Sequence, residues 1–165
     1  MCNTKNIKLT EIIVEVICFL YALLFIYAAT SKLNGFQQFK DQLDQSTLLV
    51  GYGHWAAWLV PISELVLAIL LLIRPFRLFA LYGSLILMAL FSAYIIVVLN
   101  YSDHIPCSCG GVISSMGWET HLVFNICWMG LALIGIVLIG NQKNQLRKTL
   151  RSDRGSRKPE EQSRH

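Results

Sequence analysis

The chain has 165 residues, of which 55% are hydrophobic and only 15% charged, with a formal net charge of +4 and a mean hydropathy of +0.52. Soluble domains of this size carry about 25% charged residues, so the composition argues against a water-soluble globule, a disordered chain and a collagen. Five cysteines in so apolar a chain do not make the framework of a secreted disulfide miniprotein either.

A helix needs about 20 apolar residues to cross a bilayer, and four such runs follow one another. The first covers roughly residues 12–29 and is interrupted only by Glu15. The second covers 55–73 and contains Glu64. The third covers 76–99, and the fourth 120–140. None alternates with the period of two that a barrel strand requires. Lys5 and Lys8 precede the first run as in a signal peptide. Bulky Tyr27 would nevertheless occupy the −3 position of a cleavage site at Ala29, so the run reads as a retained anchor.

The charge is unevenly placed. From Asn141 onward eight Lys/Arg stand against three Asp/Glu, while the preceding residues carry six against seven. An inside N-terminus puts Lys5, Lys8, Arg74, Arg77 and the basic tail on the cytoplasmic side, leaving only Lys32 and Lys40 outside, as the positive-inside rule prefers. Tyr27, Tyr52, Trp55, Trp58, Tyr101 and Trp118 then cluster at the outer interface. The predicted fold is all-α: a four-helix transmembrane bundle over residues 1–140 with both termini cytoplasmic. A basic, disordered cytoplasmic tail follows over 141–165. Attraction to anionic lipid explains the tail, and no nucleic-acid partner is implied.

Two loops face outward. In the first, Phe36, Phe39 and Leu43 recur at i, i+3 and i+7, which predicts a short amphipathic helix on the outer headgroups. The second holds Asp103-His104-Ile105-Pro106-Cys107-Ser108-Cys109-Gly110-Gly111. A disulfide between Cys107 and Cys109 would close a very small ring against narrow geometric limits, and strained exposed disulfides tend to be exchange-active. A pair of free thiols or a static local bridge is the plain alternative. Asp103, His104, Cys107 and Cys109 also offer nitrogen and sulfur donors for zinc or Cu(I). With no second Cys/His pair to close a structural site, no metal site is assigned.

Polar residues within the spans are the remaining candidates. Glu64 sits roughly 14 Å below the outer end of the second span at 1.5 Å per residue. An ionisable group at that depth usually faces the bundle interior, as a proton relay, a ligand for a polar head group, or a carboxyl bonded to another helix. Pro61, one turn earlier, removes a backbone hydrogen bond. His121 and Asn125 are one turn apart on the fourth span and share a face; His121 is placed to move a proton during thiol exchange or simply to cap the helix. Lys32 can snorkel as an anchor, pair with Glu64, or stabilise a thiolate. Cys18 and Cys127 read as small buried hydrophobes at depths similar enough to allow a buried pair. Cys2 reads as inert.

The segments Tyr27-Ala28-Ala29-Thr30-Ser31-Lys32-Leu33, Trp58-Leu59-Val60-Pro61-Ile62-Ser63-Glu64-Leu65, Pro106-Cys107-Ser108-Cys109-Gly110-Gly111 and Trp118-Glu119-Thr120-His121 with Asn125 resemble those of the MauE/DoxX-type membrane proteins, most closely the MauE branch. The resemblance runs from Ile12 to Gly140. It implies a four-helix inner-membrane protein whose cysteine pair maps to Cys107 and Cys109 and whose acidic span residue maps to Glu64. It also implies redox work: maturation of a disulfide-rich dehydrogenase in methylamine utilisation, or quinone or thiosulfate chemistry in DoxX relatives. The function so expected is a bacterial inner-membrane thiol–disulfide redox protein. Cys107 and Cys109 would exchange electrons with a periplasmic thioredoxin-like or disulfide-containing partner, with a quinone as a possible acceptor. His121 and Glu64 would handle protons, and Glu64, Lys32 and Asn125 are the candidates to hold the quinone. The alternatives are a non-enzymatic assembly or scaffold subunit for a redox partner, and a metal-handling membrane protein.

Overall fold

A computed structural model describes residues 2–45, 52–101 and 117–162. Five α-helices follow in chain order: α1 (Cys2–Asn34), α2 (Phe36–Gln45), α3 (Gly53–Leu72), α4 (Arg77–Tyr101) and α5 (Trp118–Gln162), with a single 3-10 turn (Arg74–Phe76) between α3 and α4. Four segments are long and apolar enough to cross a membrane: Lys8–Asn34 in α1, Gly53–Leu72 in α3, Arg74–Val97 in the 3-10 turn and α4 together, and Glu119–Lys148 in α5. These correspond to the four predicted spans. Helices are the form in which a lone segment satisfies its own backbone in lipid, and the described residues contain no strand.

α1 and α4 each pack against both α3 and α5. The four long helices therefore form a ring in the order α1, α3, α4, α5, with α3 and α5 on opposite corners. The inward stripe of α1 is Val14, Ile17, Cys18, Tyr21, Ala22, Phe25 and Ala29, at the spacing of one helix face. That of α3 is Ala57, Pro61, Glu64, Ala68 and Leu71. Residues on the other faces, such as Phe19, Leu23, Ile69, Ile86 and Val137, are exposed yet apolar, which suits contact with acyl chains rather than water. Small residues at the interfaces let the backbones approach closely, and the hydroxyls of Ser84 and Ser92 donate back to the carbonyls of Ala80 and Met88 at 2.7 and 2.8 Å. Across α1 and α5 the Tyr21 hydroxyl donates to the Trp128 carbonyl, and the Tyr21 and Trp128 rings meet edge to face at 4.8 Å.

Charges fasten one end of the ring. The Glu15 carboxylate on α1 lies 2.9 Å from Arg77 and 3.7 Å from Arg74, and Arg77 Nε donates to the carbonyl of Leu71. Gln142 of α5 donates to Glu11 at 3.0 Å. The start of α1, the α3–α4 turn and the outgoing part of α5 thus lie together.

Three expectations are corrected. α2 is a helix, but its apolar side is spent on the bundle: Leu43 is buried, and the Phe36 ring packs on Trp58 of α3 at 4.8 Å. The Phe36 ring thus leans on the first turns of α3, whose Trp55 and Leu59 remain exposed. Second, α5 does not stop near Gly140 but continues to Gln162, through the stretch expected to be disordered. Straight-chain helix formers such as Gln142, Lys143, Gln145, Leu146, Arg147 and Lys148 carry it onward, and the Gln142–Glu11 bond ties its beginning to α1. Third, Cys18 is buried while Cys127 is exposed, and both are free. The rotation of α5 that turns Asn125 inward turns Cys127 out, so the two do not pair.

Gly53 opens α3 where α2 comes closest. A Cβ there would stand 2.0 Å from Asp44 Oδ1 and 3.0 Å from the Asp44 backbone nitrogen. Gly53→Ala is expected to push α2 off α3 and lower unfolding free energy by about 1–3 kcal/mol, the usual cost of overpacking. Gly83→Ala, whose Cβ meets chiefly the mobile Leu67 side-chain tip, serves as the comparison and should cost much less in the same thermal unfolding measurement. Equal losses would mean that the α2–α3 contact is loose.

Candidate functional site

The opposite end of the ring, where α1 ends and α3 and α5 begin, gathers the polar residues of the spans. Lys32 lies in the last turn of α1 and Glu64 near the middle of α3. Their side chains meet as a salt bridge, Nζ to Oε1 at 2.7 Å, with the carboxylate 2% and the lysine side chain 21% exposed. Of the three roles open to Lys32 in the sequence, the structure therefore places it against Glu64. The pair forms because α2 folds back over α3: the first turns of α3 rise beside α2, which brings Glu64 level with the end of α1.

Aromatic rings surround the ammonium. Its nitrogen lies 5.2 Å from the centroid of Phe91 on α4 and 5.9 Å from that of Phe39 on α2, within the range where a ring face attracts a cation. Nothing in the sequence singled out Phe91, one phenylalanine in an uninterrupted apolar span. Phe39 was visible only as part of an amphipathic stripe, and its second role depends on where that stripe docks.

α5 supplies the remaining corner. Its first turn is closed by the His121 amide donating to the Gly117 carbonyl at 3.0 Å, and Glu119 places an acidic side chain at that helix start, where the helix dipole favours it. His121 is half-buried. Asn125, one turn further on, is buried at 3% exposure. Three helices of the ring thus meet at the ion pair through Lys32, Glu64 and Phe91, while α5 carries His121 and the buried Asn125 in its first turns.

Two buried polar atoms in this group have no hydrogen-bond partner among the described residues: Glu64 Oε2 and Asn125 Nδ2. Buried polar groups are nearly always bonded, and each exception calls for a physical explanation. The first accepts and the second donates.

Cys107 and Cys109, together with Asp103 and His104, lie outside the described residues. In sequence they fall between α4 and α5, the helices that end and begin at this level. No group of three or more His, Cys, Asp or Glu able to hold a metal occurs among the described residues.

A family model described as methylamine utilisation protein MauE matches residues 10–138. The match takes in Lys32, Glu64, Phe91, His121 and Asn125 as well as the Cys-x-Cys segment. No curated protein and no solved structure matches the chain.

Proposed function

The chain belongs to the MauE family of multi-pass membrane proteins, and on that premise we propose that it is a thiol–disulfide redox protein of the bacterial inner membrane. In this reading the Cys107/Cys109 pair faces the periplasm, as the Lys/Arg asymmetry favours, and accepts electrons from a thioredoxin-like partner. The observation that carries the proposal is the buried Lys32–Glu64 pair, held at the end of α1, together with His121 and the buried Asn125 in the first turns of α5, the helix that follows the Cys-x-Cys segment. An ionisable cluster inside a membrane bundle is expensive, and redox exchange at its edge gives it a use.

The electron balance is simple. A thiolate of the partner attacks the Cys107–Cys109 disulfide and forms a mixed disulfide. The partner's second thiolate then resolves it, leaving the partner oxidised and Cys107 and Cys109 as two thiols. Re-forming the disulfide would release two electrons and two protons, for which a lipid-soluble quinone would serve as the two-electron, two-proton acceptor. His121, half-buried at the start of α5, would pass protons between the cysteine segment and the core in this reading.

The test is to replace Cys107 and Cys109 by serine together and measure the redox state of the periplasmic partner in cells by thiol alkylation. Accumulation of reduced partner is the expected result. Unchanged partner oxidation, with the partner still bound, would instead identify a scaffold subunit. The single variants Cys107→Ser and Cys109→Ser should trap the partner as a mixed disulfide and so identify it.

A further inference from the structure

At the other end of the ring, three charges meet unevenly. The Glu15 carboxylate faces two guanidiniums, Arg77 at 2.9 Å and Arg74 at 3.7 Å, so the group carries one positive charge in excess. The two arginines are not equivalent. Arg77 is 15% exposed and spends Nη2 on Glu15 and Nε on the Leu71 carbonyl. Arg74 is 79% exposed and stands beyond hydrogen-bond distance of Glu15. An exposed pair of this kind contributes little, so the Arg74 guanidinium can turn to another acceptor at small cost. Glu11, one turn before Glu15, is bonded by Gln142 and follows Lys8 at i, i+3 spacing. The first turns of α1 therefore add no negative excess that would cancel Arg74.

Apolar surface adjoins that cation in the chain. Arg74 opens the 3-10 turn between α3 and α4, none of whose residues is buried. Leu72 and Ile73 before it, and Phe76 and Phe79 after it, are all exposed. The turn also marks the start of the third membrane-spanning segment, where headgroups give way to hydrocarbon. An occupant that suits both features carries a negative charge and an apolar body in one molecule. Free phosphate or an acidic peptide would meet the charge and leave the rings uncovered. A zwitterionic lipid would cover the rings but bring its own cation toward Arg74.

We infer that the α3–α4 turn is a binding site for an anionic phospholipid of the adjoining leaflet, with Arg74 as the ligand of its phosphate. The planar guanidinium can donate to two phosphate oxygens side by side, while the acyl chains cover Phe76 and Phe79. Arg77 holds Glu15 and so keeps that carboxylate from competing for Arg74. The exposed cations of α5 beyond Gly140, Lys143, Arg147 and Lys148, lack this neighbourhood, because Leu146 is the one large apolar side chain described beside them. Diffuse attraction of α5 to an anionic surface is therefore distinct from the site at the turn. The site is independent of thiol–disulfide exchange.

The experiment uses the full chain in a neutral detergent, titrated with phosphatidylglycerol or with phosphatidylcholine of the same acyl chains. Bound lipid is counted by native mass spectrometry, and thermal unfolding is followed in parallel. Phosphatidylglycerol is expected to bind about 5-fold more tightly, the contribution of one basic residue near an anionic surface. Arg74→Gln should bring the two lipids to equal affinity. It should leave unfolding without added lipid close to that of wild type, because Arg77 still holds Glu15. Arg74→Lys should keep part of the preference, since the charge remains and the fork is lost. Replacing Lys143, Arg147 and Lys148 together by glutamine should leave the preference in place. A preference that survives Arg74→Gln, or that disappears with the α5 substitutions, would overturn the site and assign the attraction to α5. Equal binding of the two lipids by the wild-type chain would show that Arg74 serves Glu15 alone. Glycerol phosphate, the headgroup without acyl chains, should not displace phosphatidylglycerol at equal concentration; displacement would mean a bare anion site and sink the lipid as its occupant.

Discussion

Replacing Lys32 by methionine is expected to lower the unfolding free energy by about 3–5 kcal/mol, the usual cost of removing one partner from a buried ion pair. The Glu64 carboxylate is 2% exposed and has Lys32 at 2.7 Å as its ionic partner, so the single variant leaves its charge uncompensated in an apolar core. Removing the charge as well, in the double variant Lys32→Met with Glu64→Leu, should recover most of that loss, because well-packed apolar residues often replace a buried pair at little net cost. Reversible unfolding in mixed micelles of wild type, both single variants and the double variant closes the cycle. A Lys32→Met loss below about 1 kcal/mol, the range of surface pairs, would show that the bridge is solvated. Recovery in the double variant would also show that the pair is kept for something other than stability.

Asn125→Leu should act in the opposite direction. Its amide nitrogen is buried with no partner among the described residues, and such a group costs about 1–3 kcal/mol. A leucine of similar volume removes that cost, so the variant without ligand should unfold later than wild type by a comparable amount. A side chain kept for packing would give the reverse result, a loss on substitution. Greater stability on losing the amide is the signature of a residue kept at the expense of the fold.

Much of the architecture is legible in the chain because lipid imposes so narrow a choice. Four long apolar runs admit four helices, and the position of Glu64 in the second already marks it as inward-facing. The shared face of His121 and Asn125 follows from their spacing alone. What could not be read is which helices become neighbours. Lys32 had three open partners until the ring order α1, α3, α4, α5 placed Glu64 beside it, and Phe91 enters the site only through that same order. The Tyr21–Trp128 and Glu15–Arg77 contacts join residues 107 and 62 positions apart, distances over which no local pattern operates. The span boundary near Gly140 was misleading for a different reason: the loss of apolar residues ends a membrane segment, but it does not end a helix whose following residues are good helix formers. The segment with Cys107 and Cys109 lies outside the described residues, so its contribution rests on chemistry and on the experiments above.

The two ion pairs of α1 also bear on how the chain is assembled. Glu15 and Lys32 are separated by roughly 26 Å of helical rise, close to the thickness of a bilayer's hydrocarbon layer, so α1 holds one ion-paired charge toward each side of that layer. Their partners come later in the chain, Glu64 32 positions after Lys32 and Arg77 62 positions after Glu15. During synthesis α1 therefore emerges before either partner. The two bridges together join α1 to α3 and to the first turn of α4, so the pairing of both charges waits for the second and third spans.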